Sequence, residues 1–281
     1  MRLTHALIVL LGVTVSGFVA AQHTSLLRAA PAQSPETMSP EQSAAKSKEL
    51  IQKTIAALGG PAYLGVKDID CTARLSQFGH SGDLTGYVYI RDLWQLPDKN
   101  RTEYSKKSNI IDVINGEGGW TLDKGGVTEM PVTQLTDFQE QIKRDYENLL
   151  RYRLNEEGMI FRYAGSDMID LKQVDWAEVV DRERRTFRLG IDRKTFLPVR
   201  VLVITRNPQT RERTEELTYL SIYQQSDGVQ TPHQVTREQD GRRVFQAFYS
   251  SCRYNTGLPG ELFTKASLDK RWAELPKKKQ K

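Results

Sequence analysis

The sequence predicts a mainly β fold with helices (α+β): an unclosed antiparallel β-barrel of about eleven strands under a helical lid. Three observations predict it. Short segments rich in Val, Ile, Thr, Tyr and Phe follow one another through tight connections. A single long apolar stripe at helical spacing interrupts them. An amphipathic helix stands in front of them.

The chain opens with Met1 and Arg2, then an apolar run from Ala6 to Val13, then the small residues Val19, Ala20 and Ala21 before Gln22. This pattern is that of a cleaved signal peptide over residues 1–21, which implies a periplasmic or secreted protein. The strongly apolar part is shorter than the roughly 20 residues that a membrane span needs. Residues 22–42 place Pro31, Pro35 and Pro40 among Ala, Ser and Gln without periodicity, as in a disordered tether. The folded domain is expected over 43–262 and a basic tail over 263–281, ending Lys277-Lys278-Lys279-Gln280-Lys281.

Leu50, Ile51, Ile55 and Leu58 share one side of a helix over 43–58, with Ser43 placed to cap it and Gly59-Gly60-Pro61 to stop it. Strand patterns follow at 69–79, 84–94, 99–106 and 109–114. Asn115-Gly116 and Lys124-Gly125-Gly126 mark tight turns on either side of Trp120. Leu135, Phe138, Ile142, Tyr146, Leu149, Leu150 and Leu154 then recur at three and four residues, which predicts one helix over 134–156. Thr136 with Gln139 fits a capping box. Seven further strand patterns run from 159 to 254, joined by turns such as Asp227-Gly228 and Asp240-Gly241.

The composition excludes several function classes. Forty basic and 35 acidic residues leave a formal charge of +5, with both signs interspersed, so no nucleic-acid footprint is visible. Of the four histidines, His5 and His23 lie in the leader and tether, and His80 and His233 have no metal-ligand spacing. There is no P-loop, no G-x-S-x-G elbow and no dinucleotide fingerprint, and no cofactor is implied. Asp175, Glu178 and Asp181 fall in one strand pattern, Glu178 facing opposite to the other two, as on a solvated sheet face. A hydrolase with dispersed carboxylates is the weakest reading. Cys71 and Cys252 either form a disulfide or remain two buried thiols, since a bridge requires Cα atoms within about 7 Å. First and last strands at opposite edges of an open sheet would hold them apart.

The order of helix, strands, helical insertion and strands behind a leader resembles the LolA/LolB-like lipoprotein-carrier superfamily over about residues 43–255. Strand 84–91 running to Pro97-Asp98-Lys99-Asn100-Arg101 is similar to that family's strand-proline-strand passage. Ile110 to Gly116 leading to Trp120 is similar to its hairpin, and Asp192 to Pro198 and Gly228 to Pro232 to its later turns. The family's arginine before the proline, which ties the lid, is Leu96 here, with Arg91 and Arg101 nearby. The resemblance implies a monomeric periplasmic carrier of lipid or lipoprotein acyl chains, with an envelope membrane protein as a further partner. The alternative on the same scaffold is a protein-interaction or sensor module without lipid cargo. The expected lining of a hydrophobic cavity is Tyr87, Tyr89, Trp94, Trp120, Phe138, Ile142, Leu149, Leu150, Trp176, Phe187 and Phe248. Any of these aromatic residues also fits a plain core.

Overall fold

The computed structural model describes residues 37–275, apart from His80, Ser105, Lys106, Glu117 and Pro208. The leader over 1–21, most of the tether and the terminal lysines lie outside the described residues.

Helix α1 (Pro40–Leu58) starts three residues earlier than its apolar stripe suggests. Ser39 caps it, accepting from the Gln42 amide at 3.2 Å while Gln42 Oε1 accepts from the Ser39 amide at 2.9 Å. That reciprocal box displaces Ser43, whose hydroxyl instead accepts the Tyr163 amide at 2.9 Å. The helix ends at Gly59, where an added Cβ would lie 2.3 Å from the carbonyl oxygen of Gly228, so only glycine permits this approach. A single turn, α2 (Pro61–Leu64), follows.

Six strands come next: β1 (Asp68–Phe78), β2 (Leu84–Gln95), β3 (Lys99–Tyr104), β4 (Ile110–Asn115), β5 (Gly118–Asp123) and β6 (Gly126–Glu129). After the helical insertion come β7 (Ile160–Ile169), β8 (Lys172–Val180), β9 (Thr186–Asp192), β10 (Pro198–Arg206), β11 (Arg213–Ser226), β12 (Val229–Gln239) and β13 (Arg242–Tyr254). All thirteen form one antiparallel sheet in the order β6-β5-β4-β3-β2-β1-β13-β12-β11-β10-β9-β8-β7. The fold is an unclosed β-barrel with a helical lid. The clearest strand beyond the eleven expected is β6, folded back by the Lys124-Gly125 turn.

The first and last strands are central neighbours rather than opposite edges. Cys71 faces Cys252 in the β1–β13 register, with Cα atoms 4.1 Å apart, and the two sulfurs are bridged. The free edges are β6 and β7. The chain between them is the helical insertion, so the insertion spans from one edge of the sheet to the other. It comprises α3 (Val132–Arg144), then α4 (Tyr146–Asn148) running into a π-helical turn, Leu149–Arg153.

Two cores lie on opposite faces of the sheet. On the inner face, Leu50, Ile51 and Leu58 of α1 pack with Leu149 and Leu150 against Ala177, Val179, Phe187, Leu189, Val201 and Val203 of β8–β10. On the outer face of β2–β5, Leu93, Ile111, Val113 and Leu122 are covered by Phe263 and Leu268. These last two belong to a 3-10 turn, Gly260–Phe263, and to α5 (Lys265–Glu274). Residues 263–275, expected to begin a basic tail, are therefore packed structure. Arg101 fastens them, donating to the Leu262 carbonyl and the Ser267 hydroxyl, each at 3.1 Å.

Candidate ligand-binding cavity

Strand alternation creates the cavity. In β2 the side chains of Asp92 and Trp94 point inward while Leu93 between them enters the outer core. Ile69 and the Cys71–Cys252 bridge supply the floor, and Phe245, Tyr249 and Tyr254 of β13 with Leu220 and Val235 of β11 and β12 supply a wall. Phe138, Ile142 and Tyr146 of the insertion form the ceiling. The cavity holds about 310 Å³ and opens to the surface.

The ceiling is a loosely seated helix. The apolar stripe of α3 faces inward, yet none of its residues is fully buried, and Val132 at its start is 78 % exposed. The ring contact holding α3 to the sheet is Trp94 stacked on Phe138, with centroids 5.7 Å apart. No side chain caps the start of α3, because Pro131 occupies the cap position and the Thr136 hydroxyl donates to the Val132 carbonyl at 2.9 Å. The single helix expected over 134–156 is broken at Asp145, whose backbone is extended (φ −70°, ψ 124°). The Asp145 carboxylate caps the next turn by accepting the Asn148 amide at 2.8 Å. Removal from water, and next the charge of Glu147, push its pKa up to about 6 against the opposing Asn148 amide, Arg151 and Arg237.

The root of the lid is buried and pinned by arginines. Arg151 is almost fully buried, 2.6 Å from Glu147, 3.2 Å from the Tyr63 carbonyl and over the Tyr63 ring at 4.1 Å. Arg153 spans the break, donating to the Lys143 carbonyl at 2.6 Å and to Asp181 at 3.0 Å. These arginines anchor the lid where the family resemblance implies one before the proline. At that position Leu96 lines the cavity instead.

Polar groups mark two poles. Asp92 accepts from Trp94 Nε1 and Asn100 Nδ2 at 2.8 Å each and from Thr102 at 3.0 Å. Burial nonetheless raises its pKa above the usual carboxylate value, because no cation offsets the desolvation. Across the cavity Arg237 lies 5.6 Å from the Phe245 ring centre and 3.4 Å from Glu216.

Of the expected lining residues, Trp94, Phe138 and Ile142 meet at this cavity. Leu149, Leu150 and Phe187 belong to the inner core. Trp120 packs in the outer core. Trp176 covers Gly190 on the outer face, where an added Cβ would sit 3.0 Å from its ring. Tyr87, Tyr89 and Phe248 also lie on the outer face, where the Arg74 guanidinium sits 5.7 Å from the Tyr87 ring and 5.3 Å from that of Phe248. Tyr146, Phe245, Tyr249 and Tyr254 were not among the expected lining. Alternation in β13 carried part of the signal, since Phe245 and Tyr249 share a parity that Phe248 does not.

The three strand carboxylates are buried and paired with arginine rather than solvated. Asp175 binds Arg193 at 2.7 Å, Glu178 binds Arg188 at 2.7 Å and Asp181 binds Arg185 at 2.8 Å. Among the described residues no group of three His, Cys, Asp or Glu side chains is arranged to hold a metal ion. Nor is any helix there long and apolar enough to cross a membrane.

No family model and no curated protein matches the sequence. Solved structures share the fold. A DUF1329 family protein from Desulfovibrio piger superposes with a TM-score of 0.57 at 12 % identity, over 82 % of this chain and 100 % of that one. A putative outer membrane lipoprotein-sorting protein domain from Vibrio parahaemolyticus gives 0.54 at 15 % identity, over 80 % and 99 %. A LolA superfamily protein from Nitrosomonas europaea gives 0.48 at 14 % identity, over 79 % and 99 %. The fold is the one shared by the DUF1329 protein and the lipoprotein-sorting protein domain.

Proposed function

We propose that this chain is a periplasmic carrier that shelters the acyl chains of a lipid or lipoprotein in the cavity beneath α3. The observation that carries this reading is the lid. An amphipathic helix with an inward apolar stripe covers a cavity of about 310 Å³ that its own side chains leave unfilled. Such a volume lies at the lower end of the range of small-molecule sites, roughly 300–1,000 Å³. Each methylene placed there is favoured by about 0.8 kcal/mol over water. A long acyl chain requires the lid to lift, and the break at Asp145 supplies a hinge between the partly exposed α3 and the buried Arg151 root. The Cys71–Cys252 bridge supports an oxidising compartment, in keeping with the leader expected over residues 1–21.

The test is mass spectrometry of organic extracts from protein purified from a periplasmic fraction, together with uptake of a fluorescent fatty acid. The expected result is a reproducible acyl species and saturable uptake that Ile142→Trp, which fills the cavity, abolishes. Reproducible absence of both would leave a scaffold that works through its surface.

A further inference from the structure

We infer that the outer face of β7–β11 is a second binding surface, one that takes the phosphate headgroups of an anionic phospholipid membrane. The alternation that sends Tyr163, Ala177, Val179, Phe187 and Val203 into the inner core sends their strand neighbours to the other side. There they line a shallow groove of about 350 Å³ with five arginines, Arg162, Arg184, Arg188, Arg206 and Arg213, and a single acid, Glu178.

The groove is not neutralised from within. Both oxygens of Glu178 are used, one by Arg188 at 2.7 Å and the other by Arg162 at 3.5 Å. Arg213 pairs with Glu215 beside the groove. Arg184 and Arg206 have no ion pair among the described residues. Like charges gathered this closely disfavour one another unless an anion is bound. The cations are all arginine, whose planar fork matches phosphate in a bidentate manner that lysine does not.

The remaining lining identifies the source of the phosphate. Ile160, 40 % exposed, lines the groove with the arginines, beside the half-buried Ile204 and the buried Val180. Apolar groups interleaved with cations suit the boundary between headgroups and acyl chains. Single-stranded nucleic acid is read on aromatic platforms, and the groove lining contains none. The sheet itself separates this groove from the cavity under α3, so the inference stands whether or not the cavity carries lipid.

The experiment is co-sedimentation of the full chain with vesicles of phosphatidylglycerol or of phosphatidylcholine at low ionic strength. The variants are R184Q/R206Q, which leaves every ion pair of the groove intact, and the charge-matched control K124Q/K270Q. Binding is expected to the anionic vesicles only. R184Q/R206Q should lower the partition coefficient about 30-fold, which corresponds to about 1 kcal/mol for each arginine near the surface. The control should stay within a few-fold of the parent. Equal losses in both variants, or no preference for phosphatidylglycerol, overturn the inference. So does saturation of the groove by inorganic phosphate alone, seen as shifts of the Arg184 and Arg206 side-chain resonances, in a protein that ignores vesicles. None of these results touches the extraction test of the cavity.

Discussion

The indole of Trp94 and the ring of Phe138 lie 5.7 Å apart with planes inclined by 14°. One sits on strand β2 and the other on the lid, so this stack joins the sheet to its cover. Phe138→Ala should accelerate amide hydrogen exchange across α3 while leaving exchange in β8–β10 unchanged. Equal acceleration in both would show that lid and sheet open together.

Neighbouring residues of the insertion should respond in opposite ways. Leu149 has no exposed surface and lies in the inner core, so Leu149→Ala should cost about 2–5 kcal/mol in urea denaturation. Ile142 faces the cavity, so Ile142→Ala should shift Tm by less than about 4 °C, or ~1 kcal/mol for a chain of this length. The same change should weaken fluorescent fatty-acid uptake. A large Tm loss in Ile142→Ala would mean that the cavity is ordinary core.

The disulfide closes a separation of 181 residues and ties the first strand to the last. Its removal by Cys71→Ser with Cys252→Ser should lower stability by about 2–5 kcal/mol, measured against the parent with and without reductant. The doubly substituted protein should be insensitive to dithiothreitol.

Asp145 gives the lid a pH dependence of known sign. Its folded pKa is raised to about 6, so the folded state binds a proton more tightly than the unfolded chain. That contribution is complete below the ordinary aspartate pKa of about 3.9 and is lost as pH rises through about 6. Asp145→Asn keeps a side-chain oxygen for the Asn148 amide and removes the charge. It should raise Tm relative to the parent at about pH 8 and change it little at about pH 4. A difference independent of pH would assign the effect to the cap alone.

The outer core is equally open to test. Leu268 is fully buried by α5 against β4 and β5. Leu268→Ala should cost about 2–5 kcal/mol, and the loss should appear first as faster exchange in β4 and β5. A change confined to α5 would show that the segment rests on the sheet without stabilising it.

Local periodicity carried most of the architecture. The 3.6-residue stripe from Leu135 to Leu154 marked the insertion, and alternation with glycine turns marked the strands. The break at Asp145 left no such mark, because no Gly or Pro stands there and the cap depends on a carboxylate already enclosed by the fold. Pairing of β1 with β13 is a long-range fact, and no local pattern encodes which of thirteen strands lies beside Cys71. Alternation also tells only that Trp94 and Leu93 face apart, not which of them faces the cavity. Trp120, Tyr87 and Phe248, expected at the cavity, lie instead on the outer face, where Trp120 and Phe248 are half-buried and Tyr87 is exposed. Phe263 and Leu268 were hidden among Lys265, Lys270 and Arg271, whose charge dominates the composition of the segment.

The sheet is open in its hydrogen bonds, but the polypeptide completes the circuit, because the insertion runs from edge strand β6 to edge strand β7. The lid is therefore a strap of fixed length as well as a cover: spreading the mouth pulls it taut, and lifting it slackens the rim. One cut within α3 would split the chain into two fragments, β1–β6 and β7–β13, linked covalently by Cys71–Cys252 alone. The second fragment would still clasp the first through α5. Such a nicked molecule should migrate as one species on a denaturing gel and as two once a thiol is added.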